Sequence, residues 1–176
     1  MIDLSNPDFK STLKFTSMDN SEKDNIQYMT ESELSVINFD SVKTAYANSL
    51  GLSEEVACSV DALMKKDGKL FFIEFKNTKI KGEAKRNVMN KVRDSILIYN
   101  DIEKSSISDT RSNAIFVLVY SEEKNSDGHG TNSIAHKVMS LAKEKEVRFG
   151  MERFKRLYFK EVYTYTEKEF EEFLED

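Results

Sequence analysis

Asp67-Gly68 stands between two runs rich in apolar residues, Cys58 to Lys66 and Lys69 to Lys76, and leaves them little choice but to pair. Both residues of the dipeptide tolerate positive φ, which a tight type I′ hairpin turn requires at its two central positions. With that pair in the turn, Lys66 lies opposite Lys69, and counting back places Asp61 opposite Glu74. Side chains alternate along a strand, so Lys76 shares the face of Glu74 while Phe71, Ile73 and Phe75 take the other. Like charges directly across a strand pair repel, and a divalent cation removes the conflict. Two carboxylates whose Cβ atoms are about 5 Å apart can share a hard, oxygen-seeking ion such as Mg²⁺.

Asp61, followed by Glu74-Phe75-Lys76 on the next strand, resembles the signature of the PD-(D/E)xK nuclease superfamily. Val60 stands where the proline of the name would be. The resemblance implies an α/β fold with a restriction-endonuclease-like core, a mixed sheet with a catalytic hairpin flanked by helices. It implies Asp61, Glu74 and Lys76 as catalytic residues. The metal would be Mg²⁺, with Mn²⁺ as substitute, held by Asp61, Glu74 and the backbone carbonyl of Phe75. Some members place a further acidic ligand on the first helix; Glu31 and Glu33 are in position for it here, and Glu54 and Glu55 approach the hairpin.

The tripeptide alone carries no weight in a chain that is 32% charged, because Asp8-Phe9-Lys10, Asp67-Gly68-Lys69, Glu83-Ala84-Lys85 and Glu122-Glu123-Lys124 share its pattern. What distinguishes Glu74 to Lys76 is its place at the end of Leu70-Phe71-Phe72-Ile73, where a half-buried strand would otherwise continue apolar. The plain alternative is a hairpin whose charged end faces water.

The 176 residues suit one domain, 1–176, with residues 1–25 as an irregular arm holding the only proline and at most a short edge strand. A helix is expected from Thr30, with Glu33 completing a capping-box spacing and Leu34, Ile37, Val42, Ala45 and Tyr46 as its apolar stripe. Asp40 and Ser41 could cap a second piece, and Gly51 suits the C-terminal end. The lone Cys58, among Val56, Ala57 and Val60, reads as a small buried side chain without a redox role. After a loop or short strand at 77–82, a helix over about 83–99 buries Val88, Val92, Ile96 and Tyr99.

The near-continuous apolar run Asn113 to Tyr120 reads as a strand covered on both faces and, after a helical crossover, parallel to the Glu74 strand. Residues 121–132 read as a loop and 133–146 as a helix with Ile134, Val138, Leu141 and Ala142 inward. Asp127, His129 and His136 match zinc spacing poorly. A strand over 157–164 follows. Thr166 and Glu169 then open a final helix with Phe170, Phe173 and Leu174 on one side.

Net charge is −5, yet Lys76 to Arg93 holds seven basic residues and one acidic, and Arg148 to Lys160 holds five against one. Nucleic acid is the expected partner, DNA ahead of RNA, with Lys79, Lys85 and Arg86 of the basic stretch on its phosphate backbone. The resemblance implies Asn87 and Lys91, on the helix beside the hairpin, as a polar pair offered to the substrate or the water shell of the metal. A homodimer is left open, with Tyr158 to Tyr165 as its aromatic surface. The absence of a long apolar run and of a signal-peptide pattern at Met1 to Leu4 leads to the expectation of a cytoplasmic protein without a membrane partner. The competing function is a catalytically silent member of the same fold, an interaction, immunity or regulatory protein with acidic surfaces.

Overall fold

The computed structural model describes residues 2–19, 26–126 and 147–175. Eight strands and six α-helices follow in chain order among them: β1 (Lys10–Thr12), α1 (Leu13–Thr16), β2 (Met18–Asp19), β3 (Gln27–Tyr28), β4 (Ser35–Asn38), α2 (Phe39–Ser49), β5 (Ala62–Lys66), β6 (Lys69–Lys76), α3 (Gly82–Glu103), α4 (Ile107–Asn113), β7 (Ala114–Tyr120), α5 (Glu122–Asn125), β8 (Glu161–Thr166) and α6 (Glu167–Glu175). Six of the strands form one mixed sheet in the order β1-β4-β5-β6-β7-β8, and β2 with β3 makes a separate two-stranded ribbon.

The β5-β6 hairpin has the expected register, with Lys66 opposite Lys69 and Ala62 opposite Ile73. Its turn is built on φ values of 51° at Asp67 and 72° at Gly68, the left-handed pair that a type I′ turn needs. β7 lies parallel to β6 and is buried at all seven positions, as a strand covered on both faces must be. The crossover is made by α3 and the short α4, which a capping box of Ser106 and Asp109 opens.

Two apolar layers lie on the two faces. One joins Phe39 and Val42 of α2, Val88, Val92 and Ile96 of α3, and Phe72, Phe116 and Leu118 of the sheet. The other joins Phe71, Ile73, Phe75, Val117 and Val119 to Leu13 of α1 and Phe170 of α6. Glu74 falls on the α3 face by alternation, which decides where a charged site can form.

Several expectations are corrected. Residues 35–38 form strand β4 rather than the start of a helix, and the helix begins at Phe39 with Asn38 as its cap, accepting from the Ser41 N–H. The edge of β5 takes β4 as its partner, burying Val36 and leaving Leu34 exposed. The Thr30 hydroxyl donates to Glu171 on α6 instead of capping a helix. Cys58 is exposed, while Ser59 and Val60 after it are buried. β8 starts at Glu161, later than the expected 157. Tyr165 is buried and Tyr163, stacked against it, is half-buried, so the aromatic surface envisaged for a dimer turns largely inward. Thr166 and Glu169 do form the expected capping box at α6. The loop and helix expected over 127–146, with Asp127, His129 and His136, lie outside the described residues.

Candidate metal centre

The site lies at the end of the sheet where β6, β7 and β8 deliver their C-termini and β5 begins, the usual place for ligands in an open α/β sheet. The β5-β6 ladder stops at Ala62 and Ile73, one pair short of Asp61 and Glu74. The Asp61 N–H donates to the Ile73 carbonyl at 3.0 Å, so two residues of one strand face one of the other, as in a β-bulge. This re-aims the Asp61 side chain along β6, where Oδ2 accepts from the Phe75 N–H at 2.6 Å. In an antiparallel pair a residue's N–H and C=O leave the strand on the same side. The Phe75 carbonyl therefore also faces the Asp61 side, beyond the end of the ladder.

Helix α3 fixes the approach to Asp61 from outside. Asp94 Oδ2 accepts from the Cys58 N–H at 2.9 Å, and Ser95 Oγ accepts from the Val60 N–H at 2.8 Å. One turn earlier on the same helix, Lys91 reaches the carboxylates themselves. Its Nζ stands 3.0 Å from Asp61 Oδ1, 2.9 Å from Glu74 Oε1 and 3.0 Å from Glu74 Oε2. Asp40, at the start of α2, adds a further negative field at Asp61 but is bonded to the Ser59 hydroxyl.

Electrostatics follow from depth. Glu74 is fully buried, whereas the Asp61 and Lys91 side chains are 14% and 26% exposed. Burial, reinforced by Asp61, pushes Glu74 well above the ordinary glutamate range, against the pull of Lys91. Burial likewise raises Asp61, with Lys91 and the Phe75 N–H opposing. Burial would by itself lower Lys91, but Glu74 and Asp61 outweigh it and keep the ammonium charged. A glutamate raised in the fold keeps its proton at pH values where the unfolded chain has lost it. Its contribution to stability is full below about pH 4.5 and is lost as pH rises through the folded value. Glu74→Gln should flatten that decline in thermal midpoint above about pH 4.5; a slope equal to wild type would contradict the assignment.

The expected residues divide into those the fold brings together and those it does not. Asp61 and Glu74 converge. Lys76 lies one alternation beyond Glu74 and contributes to its field without bonding to either carboxylate. Lys91 belongs to the centre itself. Lys79, Arg86 and Asn87 are exposed before and on the first turns of α3. Lys85 is half-buried, its ammonium so near Gly150 that a Cβ there would stand 2.9 Å away. Glu31 pairs with Lys14, and Glu54 accepts from Thr44, so neither joins the site. Glu33 and Glu55 are exposed, and among the described residues no group of three His, Cys, Asp or Glu side chains converges on one point. Sequence reasoning missed Asp94 and Ser95 as the residues that hold the approach to Asp61. Their spacing of three and four from Lys91 was the available signal.

The donors present suit a small hard cation. Mg²⁺ is commonly bound through one or two carboxylates, the rest of its shell being water and substrate oxygen. Of the Glu74 oxygens, Oε2 accepts from Lys91, whereas Oε1, though close to the same ammonium, has no hydrogen-bond donor aimed at it. The Lys91 ammonium puts positive charge beside Oε1 but no directed bond, which leaves that oxygen a position a metal cation could take.

No match was found in a scan of protein-family models, a search of curated proteins or a search of solved structures. No helix among the described residues is long and apolar enough to cross a membrane.

Proposed function

We propose that the protein is a metal-dependent nuclease of the PD-(D/E)xK type, hydrolysing phosphodiester bonds of nucleic acid, with DNA as the first substrate to test. The observation that carries this reading is the convergence of Asp61 and buried Glu74 at the open end of the hairpin, with Lys76 next on the same face. The three-layer fold, with a hairpin followed by a helical crossover to a parallel strand, supports it. Asp61, Glu74 and the Phe75 carbonyl would hold Mg²⁺, which would supply an activated water and polarise the scissile phosphate. Lys76, next on the same face, would stabilise charge developing on that phosphate. Lys79, Lys85, Arg86 and Asn87 would contact the nucleic-acid backbone, a sequence-independent attraction weakened by salt.

Supercoiled plasmid and single-stranded DNA incubated with Mg²⁺ or Mn²⁺ should be cut, and excess chelator should stop the reaction. Lys76→Ala should slow cleavage by about a hundredfold with an unchanged thermal midpoint. Wild-type rates in that variant would remove Lys76 from the mechanism.

The Lys91 ammonium between the two carboxylates favours a second reading, in which the three charges form a closed structural ion cluster. The chain would then serve as an interaction, immunity or regulatory protein. Metal separates the two readings: a closed cluster takes up neither Mg²⁺ nor Mn²⁺.

A further inference from the structure

We infer that Lys91 is an exchangeable internal counter-cation: it occupies the space between Asp61 and Glu74 until a divalent metal takes its place. The inference rests on the metal-dependent reading above and adds a control on that same site. Its basis is geometric. A single ammonium lies within 3.0 Å of three carboxylate oxygens on two residues, Asp61 Oδ1 and both oxygens of Glu74. Those are the atoms a cation shared by the two side chains would use. Glu74 Oε1 is the least firmly held of the three, 2.9 Å from the ammonium without a directed hydrogen bond. Asp61, by contrast, keeps its second oxygen on the Phe75 N–H, so its carboxylate stays aimed whether or not Lys91 is present.

The lysine is also built to leave. Its side chain is 26% exposed, while Glu74 is fully buried. It projects from the middle of α3, whose position is fixed independently by Val88, Val92 and Ile96 in the core and by the bonds from Asp94 and Ser95. Four rotatable methylene groups can carry an ammonium outward without moving that helix. The freed charge is then available to a phosphate, which is the role its position beside Asn87 on the helix suggests. Lys91 is thus a positioning residue that holds the two carboxyl groups together before metal arrives, and it makes metal binding a competition.

The test compares wild type with Lys91→Met, which keeps the length of the side chain and removes its charge. Calorimetric titration with Mn²⁺ alone should show at least about tenfold tighter binding in the methionine variant, since no ammonium has to be displaced. Without metal the variant should melt below wild type, and Mn²⁺ should raise its midpoint by more than it raises that of wild type. Wild type offers a readout independent of the variant's folding: Mn²⁺ should increase acetylation of Lys91 by an amine-reactive reagent, read by peptide mass spectrometry. If wild type binds Mn²⁺ while the variant binds it no tighter, or Lys91 labelling does not rise, the exchange is overturned and the nuclease reading stands. If neither protein binds Mn²⁺, both fall.

Discussion

Asp61→Asn is expected to reduce metal-dependent cleavage by about a thousandfold while leaving the protein folded. Asparagine has nearly the volume of aspartate, and its amide oxygen can still accept from the Phe75 N–H, the 2.6 Å bond that aims the side chain along β6. What it lacks is the negative charge that Asp61 shares with Glu74 around a cation. Lys91 keeps its pairing with Glu74, so the loss of stability should be small beside the loss of rate. Alanine at the same position would be a poorer probe: it strands the Phe75 N–H and adds about 1–3 kcal/mol of destabilisation to any effect on chemistry. Nicking of plasmid followed over time measures the outcome, with circular dichroism to confirm folding. Substantial activity in Asp61→Asn would show that cleavage does not depend on this carboxylate.

The largest expected effect on stability lies elsewhere, at Phe72. This side chain is fully buried on the α3 face of β6 and meets Phe39, Tyr99 and Phe159 with ring centroids 6.3, 5.4 and 5.3 Å away, all edge to face. It therefore ties α2, α3 and the segment before β8 to the central hairpin. Phe72→Ala should cost about 3–5 kcal/mol, combining lost apolar transfer with an unfilled cavity among rings that cannot collapse together. Urea denaturation measures the loss, and a change under about 1 kcal/mol would mean that the three rings close over the gap. Phe72 neighbours Glu74 on one face, so the site and the largest aromatic cluster share a strand. A protein weakened there should lose the site together with the fold.

The parts of this architecture legible in the sequence are those that local chemistry decides. Asp67-Gly68 fixes the hairpin because few pairs adopt two positive φ values, and the register follows by counting. Ala114 to Tyr120 is apolar throughout because both faces are covered. Thr166 and Glu169 open α6 because the capping bonds lie within one turn.

Where the sequence misled, distant contacts decided. Ser35–Asn38 is too short for alternation to show, and Thr30 with Glu33 imitates a helix start, yet Thr30 bonds across the fold to Glu171. The Ser106 and Asp109 capping box that opens α4 is local, yet the helix it starts is only seven residues long and runs straight into the apolar strand. In the site, Asp61, Glu74 and Lys76 could be singled out from the hairpin alone. Lys91 could be assigned to the helix beside it, but not to the space between the carboxylates. That placement depends on Asp94 and Ser95 docking α3 against the backbone of Cys58 and Val60, a tertiary contact without a local signature.

Calorimetric titration of Mn²⁺ into wild type and Asp61→Asn, followed by incubation of both with plasmid and single-stranded DNA, tests the metal centre most directly. A nuclease centre at the hairpin predicts binding and cleavage in wild type and the loss of both in Asp61→Asn. Wild type that takes up no Mn²⁺ and leaves both DNAs intact would contradict it, and would make the Lys91, Asp61 and Glu74 cluster a structural one.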